Sequence, residues 1–244
     1  MERKKILFDV DDTILDFHTA ERNAIRQSFE ELGIPVDESV LRRYSEINIA
    51  CWRMLEKGEM TREEVLVGRF EKLFEEMGVA LPAQTAQDRY EALLESGHYF
   101  MPGAPELLET LFPRYDLYLV SNGNIKTQES RLKSAGIGPY FKDVFISERI
   151  GVNKPARAFF DACFAAIPGF RREDALIVGD SLSSDILGAI NAGVASCWYN
   201  PVGLLSEDAI RPDYEIRSLG ELPPLLERHF NNDLRKSDEC RCSR

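Results

Sequence analysis

The stretch ILFDVDDTILDF, residues 6–17, decides how this chain is read. Three apolar residues run straight into Asp9, Asp11 and Asp12, after which the apolar pattern resumes. An apolar run without polar alternation suits a strand covered on both faces. Such a strand excludes unpaired acids, because a buried charge is costly unless it is paired or neutralised by proton uptake. Strand side chains alternate faces, so Asp9 and Asp11 share one side and repel each other. The acids therefore belong at the strand's end, where something must offset their charge.

After Asp16 the pattern becomes helical, from Thr19 to Tyr99. TAERNAIRQSFEELG sets Ala20, Ala24, Ile25, Phe29 and Leu32 on one face, with Gly33 as its stop. TREEVLVGRFEKLFEEMG opens with Thr61 and Glu64 at capping-box spacing and ends at Gly78. This block reads as a subdomain of about four helices. From Met101 onward, helical segments alternate with β-branched runs. Strands are predicted at 116–121, 143–147, 175–180, 194–199 and 213–216, and helices near 104–112, 125–135, 156–167 and 183–192. Alternation of this kind predicts an α/β fold with a parallel sheet covered by helices on both faces. Ile6–Val10 is its first strand, and the helical block is an insertion after it. The expected division is residues 1–16 and 101–230 as the catalytic core and 17–100 as the helical insertion.

Composition narrows the partners. A chain of 244 residues with 44% hydrophobic and 29% charged residues has the balance of a soluble globular protein with one substantial core. Its formal net charge of −11 excludes a nucleic acid polymer as the main partner, since that affinity rests on Lys and Arg. The N-terminal MERKKILFDV is too short in apolar residues for a signal sequence, and no stretch is long enough to span a bilayer. No membrane association and a cytoplasmic location are expected. Cys51, Cys163 and Cys197 sit in apolar surroundings and read as core residues. Cys240 and Cys242 fall in residues 231–244, read as a disordered tail.

In a parallel sheet, ligands bind outside the carboxyl ends of the strands. That rule gathers Asp9, Ser121, Asp180 and, from the loop before a helix, Lys154; the first position of that helix is predicted to be Pro155. Asp9, Asp11 and Asp180 together suit a hard cation such as Mg²⁺. An ionised aspartate can also attack phosphorus. Lys154 and the N–H groups around Ser121-Asn122-Gly123 could then neutralise phosphoryl oxygens. Taken singly, each element has an ordinary structural reading: SNG as a turn, Lys154 as a surface lysine, GDSLSSD as a helix cap. Taken jointly, at strand ends and in this order, they favour chemistry.

These residues resemble the four motifs of the haloacid dehalogenase superfamily: FDVDDT with Asp9 and Asp11, VSNG with Ser121, VNKP with Lys154, and VGDSLSSD with Asp180 and Asp185. The resemblance implies a Rossmann-like, doubly wound core with a type 1 helical cap, Mg²⁺ as cofactor, and a phospho-aspartate formed on Asp9. It further implies Asp11 as general acid/base and carbonyl ligand of the metal, Asp180 as metal ligand and Asp185 behind it. Lys154, Ser121 and Asn122 would bind the phosphoryl group. An acid at position 11 disfavours carbon–halogen hydrolysis. ISERIGVNKP (146–155) and SDILGAINAGVASCWYNP (184–201) are similar to the pyrimidine 5′-nucleotidase branch, although Asn124 stands where that branch has a larger apolar residue. The expected partner is a small phosphorylated metabolite, with a nucleoside monophosphate first. A sugar phosphate, an N-acylneuraminate 9-phosphate and a phosphosugar mutase substrate are the alternatives, followed by a non-catalytic scaffold. A monomer and a homodimer are both compatible with the sequence. In the insertion, Asn48, Trp52 and Arg69 are candidates for contacting the leaving group. Their structural alternatives are core packing for Trp52 and pairing with Glu59 or Glu71 for Arg69.

Overall fold

The computed structural model describes residues 3–205 and 210–241. In chain order its elements are β1 (Lys5–Asp9), α1 (Phe17–Glu31), α2 (Glu38–Glu56), α3 (Arg62–Met77), α4 (Ala83–Leu94), α5 (Ala104–Leu111), β2 (Asp116–Ser121) and α6 (Ile125–Ala135). They continue with β3 (Phe141–Ile146), α7 (Ser147–Ile150), α8 (Arg157–Ala166), β4 (Ala175–Gly179), α9 (Leu187–Ala192), β5 (Ala195–Tyr199), β6 (Tyr214–Ile216) and α10 (Leu222–Arg241). The chain divides into two compact units, one holding Met1–Leu15, Phe100–Asn122 and Pro139–Arg244, the other Asp16–Tyr99 and Gly123–Gly138. By packing, α6 groups with the helical unit, although it follows β2 directly in sequence. No helix among the described residues is long and apolar enough to cross a membrane.

The first unit is built on a parallel sheet with strand order β3-β2-β1-β4-β5-β6. All residues of β1 are buried, as a central strand between β2 and β4 requires. Leu7 lies opposite Tyr118 and Ile177, and the three face a cluster with Phe159, Phe160, Cys163 and Ala189. Ile6 and Phe8, of opposite parity, are equally buried and point to the other face. The chain runs outward from β1 to β2 and β3, then returns to β4 on the other flank. That reversal leaves a crevice at the carboxyl end of β1.

The second unit packs α1 to α4 around an aromatic cluster. Tyr44, Phe70 and Tyr90 lie with ring centroids 5.1 Å (Tyr44–Phe70) and 5.7 Å (Phe70–Tyr90) apart. Thr61 and Glu64 form the expected capping box at the start of α3, and Gly78 ends it in the left-handed conformation.

Among the boundaries that differ from the sequence reading, two have a clear local cause. Residue 155 does not open α8: Ala156 N–H closes a turn on Asn153 O at 3.0 Å, and regular helix begins at Arg157. Helix α10 continues to Arg241, through most of the stretch read as a disordered tail. After Pro224 that segment contains neither Gly nor Pro to interrupt it. Cys242 and the two residues after it lie outside the described residues.

Candidate active site

Parallel register sets the geometry at the carboxyl edge. Asp9 pairs with Val120, placing Ser121 one residue beyond it, and Phe8 pairs with Val178, placing Gly179 and Asp180 on the other side. Past Asp9 the chain folds back on itself. Ile14 and Leu15 N–H both donate to Val10 O, at 3.0 and 2.9 Å, and Asp12 N–H donates to Leu15 O at 2.7 Å. Asp12 takes φ = 57°, a left-handed conformation that aspartate tolerates better than most residues. Asp11 is thereby fixed two residues past the strand end, and its charge is felt at Asp9.

Lys154 is the centre of the cluster. Its ammonium is buried and donates to Asp9 Oδ1 at 2.5 Å, Asp185 Oδ1 at 2.7 Å and Val120 O at 3.1 Å. Burial alone would depress its pKa, but the charges of Asp185 and Asp9 and their hydrogen bonds outweigh that and push it above the usual lysine range. Asn122 holds the lysine's own backbone: its Oδ1 accepts from Lys154 N–H at 2.8 Å and its Nδ2 donates to Lys154 O at 3.0 Å. The sequence reading gave Asn122 a phosphate-binding amide. This reciprocal side-chain clasp across 32 residues was not among its expectations.

Asp185 lies in a single wide turn, Leu182–Ile186, where Ile186 N–H reaches back five residues to Ser181 O at 3.1 Å. Its Oδ2 accepts from Ser181 N–H at 3.1 Å while Oδ1 accepts from Lys154. Gly179 is required beneath it, because a Cβ there would sit 2.3 Å from the Asp185 carboxyl carbon. Trp198 on β5 donates its indole N–H to Asp180 O at 2.7 Å, fixing the backbone that presents the Asp180 carboxyl. The VGD triplet could have pointed to Gly179. Trp198 depends on the β4–β5 pairing, which strand-helix alternation does not specify.

Burial pushes the carboxyls of both Asp9 and Asp180 well above the ordinary aspartate range. For Asp9, Lys154 opposes that shift while Asp185 and Asp11 add to it. For Asp180, the charges of Asp9, Asp185 and Asp12 add to it and Lys154 opposes. Carboxylate oxygens of Asp9, Asp180 and Asp185 lie within 4.8 Å of one another. Three acids that share a single ammonium and converge on one point fit a hard divalent cation. Both oxygens of Asp185 already accept hydrogen bonds, from Lys154 Nζ and Ser181 N–H, so Asp9 and Asp180 fit a ligand role better than Asp185 does.

The insertion candidates belong to the helical unit. Asn48 and Arg69, which the sequence reading offered as candidates for contacting the leaving group, are buried inside the helical unit. Arg69 donates to Asn48 Oδ1 at 2.7 Å, Gln87 Oε1 at 2.8 Å and Leu66 O at 3.2 Å, and Asn48 donates to Glu21 Oε1 at 2.6 Å. The physical reason is charge. Glu21 is itself buried within the helical unit, and the Arg69–Asn48 relay supplies it with a donor and a nearby cation. Neither Glu59 nor Glu71 is the partner observed for Arg69. Trp52 is partly buried against the helical core, with the Arg62 guanidinium 5.7 Å from its ring centroid.

Comparison with known proteins agrees with this geometry. A family model described as haloacid dehalogenase-like hydrolase matches residues 4–193, and the chain belongs to that family. The HAD-hydrolase YfnB of Bacillus subtilis is 44% identical over 91% of this chain and 95% of its own length. The pyrimidine 5′-nucleotidases PynA of Streptococcus pneumoniae and YjjG of Escherichia coli are 37% and 31% identical, covering 93% and 92% of this chain and 96% and 98% of theirs. A crystal structure of YfnB bound to magnesium has a TM-score of 0.88 at 43% identity, covering 93% of this chain and 99% of that one.

Proposed function

We propose that this haloacid dehalogenase-like hydrolase is a Mg²⁺-dependent phosphomonoesterase that works through a phospho-aspartate, and that its substrates are pyrimidine nucleoside 5′-monophosphates. The observation that carries the chemistry is the buried Lys154 ammonium bridging Asp9 and Asp185 beside Asp180. The similarity to PynA and YjjG supports the substrate class. Asp9 and Asp180, with the main-chain carbonyl of Asp11, carry the oxygens that would hold Mg²⁺, whose charge when bound offsets their repulsion and that of the phosphoryl oxygens.

In this reading Asp9 attacks phosphorus, forming an acyl–phosphate bond as the ester P–O bond breaks. Asp11 gives its proton to the departing alkoxide, so the nucleoside leaves neutral. Water then attacks the phospho-aspartate, Asp11 takes its proton, and phosphate and free Asp9 are regenerated. Ser121 and the backbone amide of Asn122 bind phosphoryl oxygens, and Lys154 holds Asp9 in place while adding positive charge.

The decisive test is a substrate panel with phosphate-release detection in Mg²⁺, with chelator as control. UMP, dUMP and dTMP are expected to exceed AMP and sugar phosphates in kcat/KM. Poor turnover of all three beside rapid hydrolysis of a sugar phosphate ends the nucleotidase assignment, and isomerised product without phosphate indicates a mutase. D9N is expected to have no measurable turnover while remaining folded; retained activity in D9N removes the covalent mechanism.

A further inference from the structure

Asp9 and Asp180, the two carboxylates suited to a cation, are held in different ways. The Asp9 carboxyl is fixed directly, by the Lys154 ammonium at 2.5 Å. Among the described residues, the Asp180 carboxyl accepts no hydrogen bond and forms no ion pair. Neighbouring charges act on it, but no donor aims it. Its direction is therefore set through its own backbone.

That backbone is pinned at both ends of one peptide plane. The Asp180 carbonyl oxygen accepts from the Trp198 indole at 2.7 Å, and the Ser181 N–H of the same peptide donates to Asp185 Oδ2 at 3.1 Å. A peptide unit is planar, so the two bonds together resist its rotation about the Cα–C bond of Asp180. Hydrogen bonds then run from Trp198 through this peptide to Asp185, Lys154 and Asp9 without a break. All of these residues belong to the sheet unit. Parallel register pairs Trp198 with Gly179, which puts the indole on the face where Asp185 closes over that glycine. Trp198 is buried, and a buried indole N–H takes an acceptor. Here the acceptor is the carbonyl of a candidate ligand.

We propose that Trp198 is a positioning residue that sets the Mg²⁺ affinity of the site by locking the Asp180–Ser181 peptide. This rests on the Mg²⁺-dependent reading above. Without the indole bond the peptide is freer to rotate, and the Asp180 carboxyl samples several directions. A cation must then select one of them on binding, and that ordering weakens its affinity.

Calorimetric titration of the full-length protein with Mg²⁺ alone, without substrate, reads the affinity directly. W198F keeps an aromatic ring and removes the N–H. It is expected to raise the Kd for Mg²⁺ roughly 10- to 100-fold, the usual cost of losing a bond that orients a metal ligand. Phosphate release from phenyl phosphate should show the same split, with more Mg²⁺ needed for the half-maximal rate and kcat recovered at saturation. C197A is the control for packing. Cys197 is buried on the opposite face of β5, so C197A loosens the same strand and should keep the parental Kd. An unchanged Kd in W198F overturns the inference and leaves the Mg²⁺ reading standing. An equal rise in C197A overturns it as well, since packing alone then accounts for the effect. A parent protein that binds no Mg²⁺ removes that reading, and the inference with it. Should W198F not fold, β-(3-benzothienyl)alanine at position 198 in a W52F background decides, because it keeps the fused ring and replaces the N–H by sulfur. A Kd raised above that of W52F supports the assignment, and an unchanged one overturns it.

Discussion

Lys154 shows how much one residue can carry. Its ammonium separates Asp9 from Asp185, and all three side chains are buried. Replacing it by the apolar, similarly long Met leaves two carboxylates facing each other without a cation. Removing one partner from a buried ion cluster costs about 3–5 kcal/mol. For a chain of this length that corresponds to a fall in Tm on the order of 10 °C. The sign of the pH dependence follows from the Asp9 shift. Its folded pKa is already raised by burial, and loss of Lys154, which opposes that shift, raises it further. The penalty is therefore full above the folded pKa and is relieved as the pH falls and the carboxyl takes up a proton. K154M should lose far more stability at pH 8 than at pH 5 by thermal unfolding; an equal loss at both contradicts the assignment. The VNKP motif made Lys154 legible in the sequence. Its clasp by Asn122 was not, because SNG reads locally as a turn and nothing local points 32 residues ahead.

At the level of elements, the carboxyl edge works because short connections are tightly specified. Gly179 ends β4 directly under Asp185, and a methyl group there would overlap that carboxyl. Asp185 cannot withdraw without breaking its bonds to Lys154 and to Ser181 N–H. Overpacking of this kind costs about 1–3 kcal/mol, but displacing an active-site group by about 1 Å can cost around 10²-fold in rate. G179A should therefore show a kcat reduced about 100-fold with a moderate loss of Tm. G138A, where a Cβ meets nothing within 4 Å, should be nearly neutral in both. Comparable kinetics for the two variants would show that Asp185 has no positioning role. Strand β2 and helix α6 match their predicted spans because each is bounded by strong local signals, Ser121-Asn122-Gly123 and Gly136. The wide turn before α9 was read as ordinary helix, since its i+5 bond arises from where Asp185 must point and not from helix propensity.

Across the whole molecule, the two units differ in how their charges are balanced. The helical unit neutralises its buried glutamate internally, through Asn48 and Arg69. That network was illegible because buried polar residues on a helix carry the same letters as exposed ones. Strand order was equally out of reach, since it depends on pairings between segments far apart in sequence. The sheet unit, in contrast, gathers Asp9, Asp180 and Asp185 around a single lysine. Without a cation, Asp9 and Asp180 therefore take up protons at a higher pH than they do in the unfolded chain. Their ionised forms count against the fold above the folded pKa, and this burden lifts as the pH falls through it. A divalent cation relieves the same burden at high pH and competes with protons at low pH. At about 100-fold excess over Kd, a ligand that binds only the folded state adds about 2.7 kcal/mol, a rise in Tm of roughly 5–10 °C here. Thermal unfolding with and without Mg²⁺ should accordingly show a larger increment at pH 8 than at pH 5. D180N removes one of the raised carboxyls, so it should unfold at a higher temperature than the parent in chelator at pH 8. It should also lose most of the Mg²⁺ increment. A larger increment at pH 5, or a D180N protein less stable than its parent without metal, would mean that Asp180 is held by contacts that favour its charge. The carboxylates would then be structural acids and not a cation site.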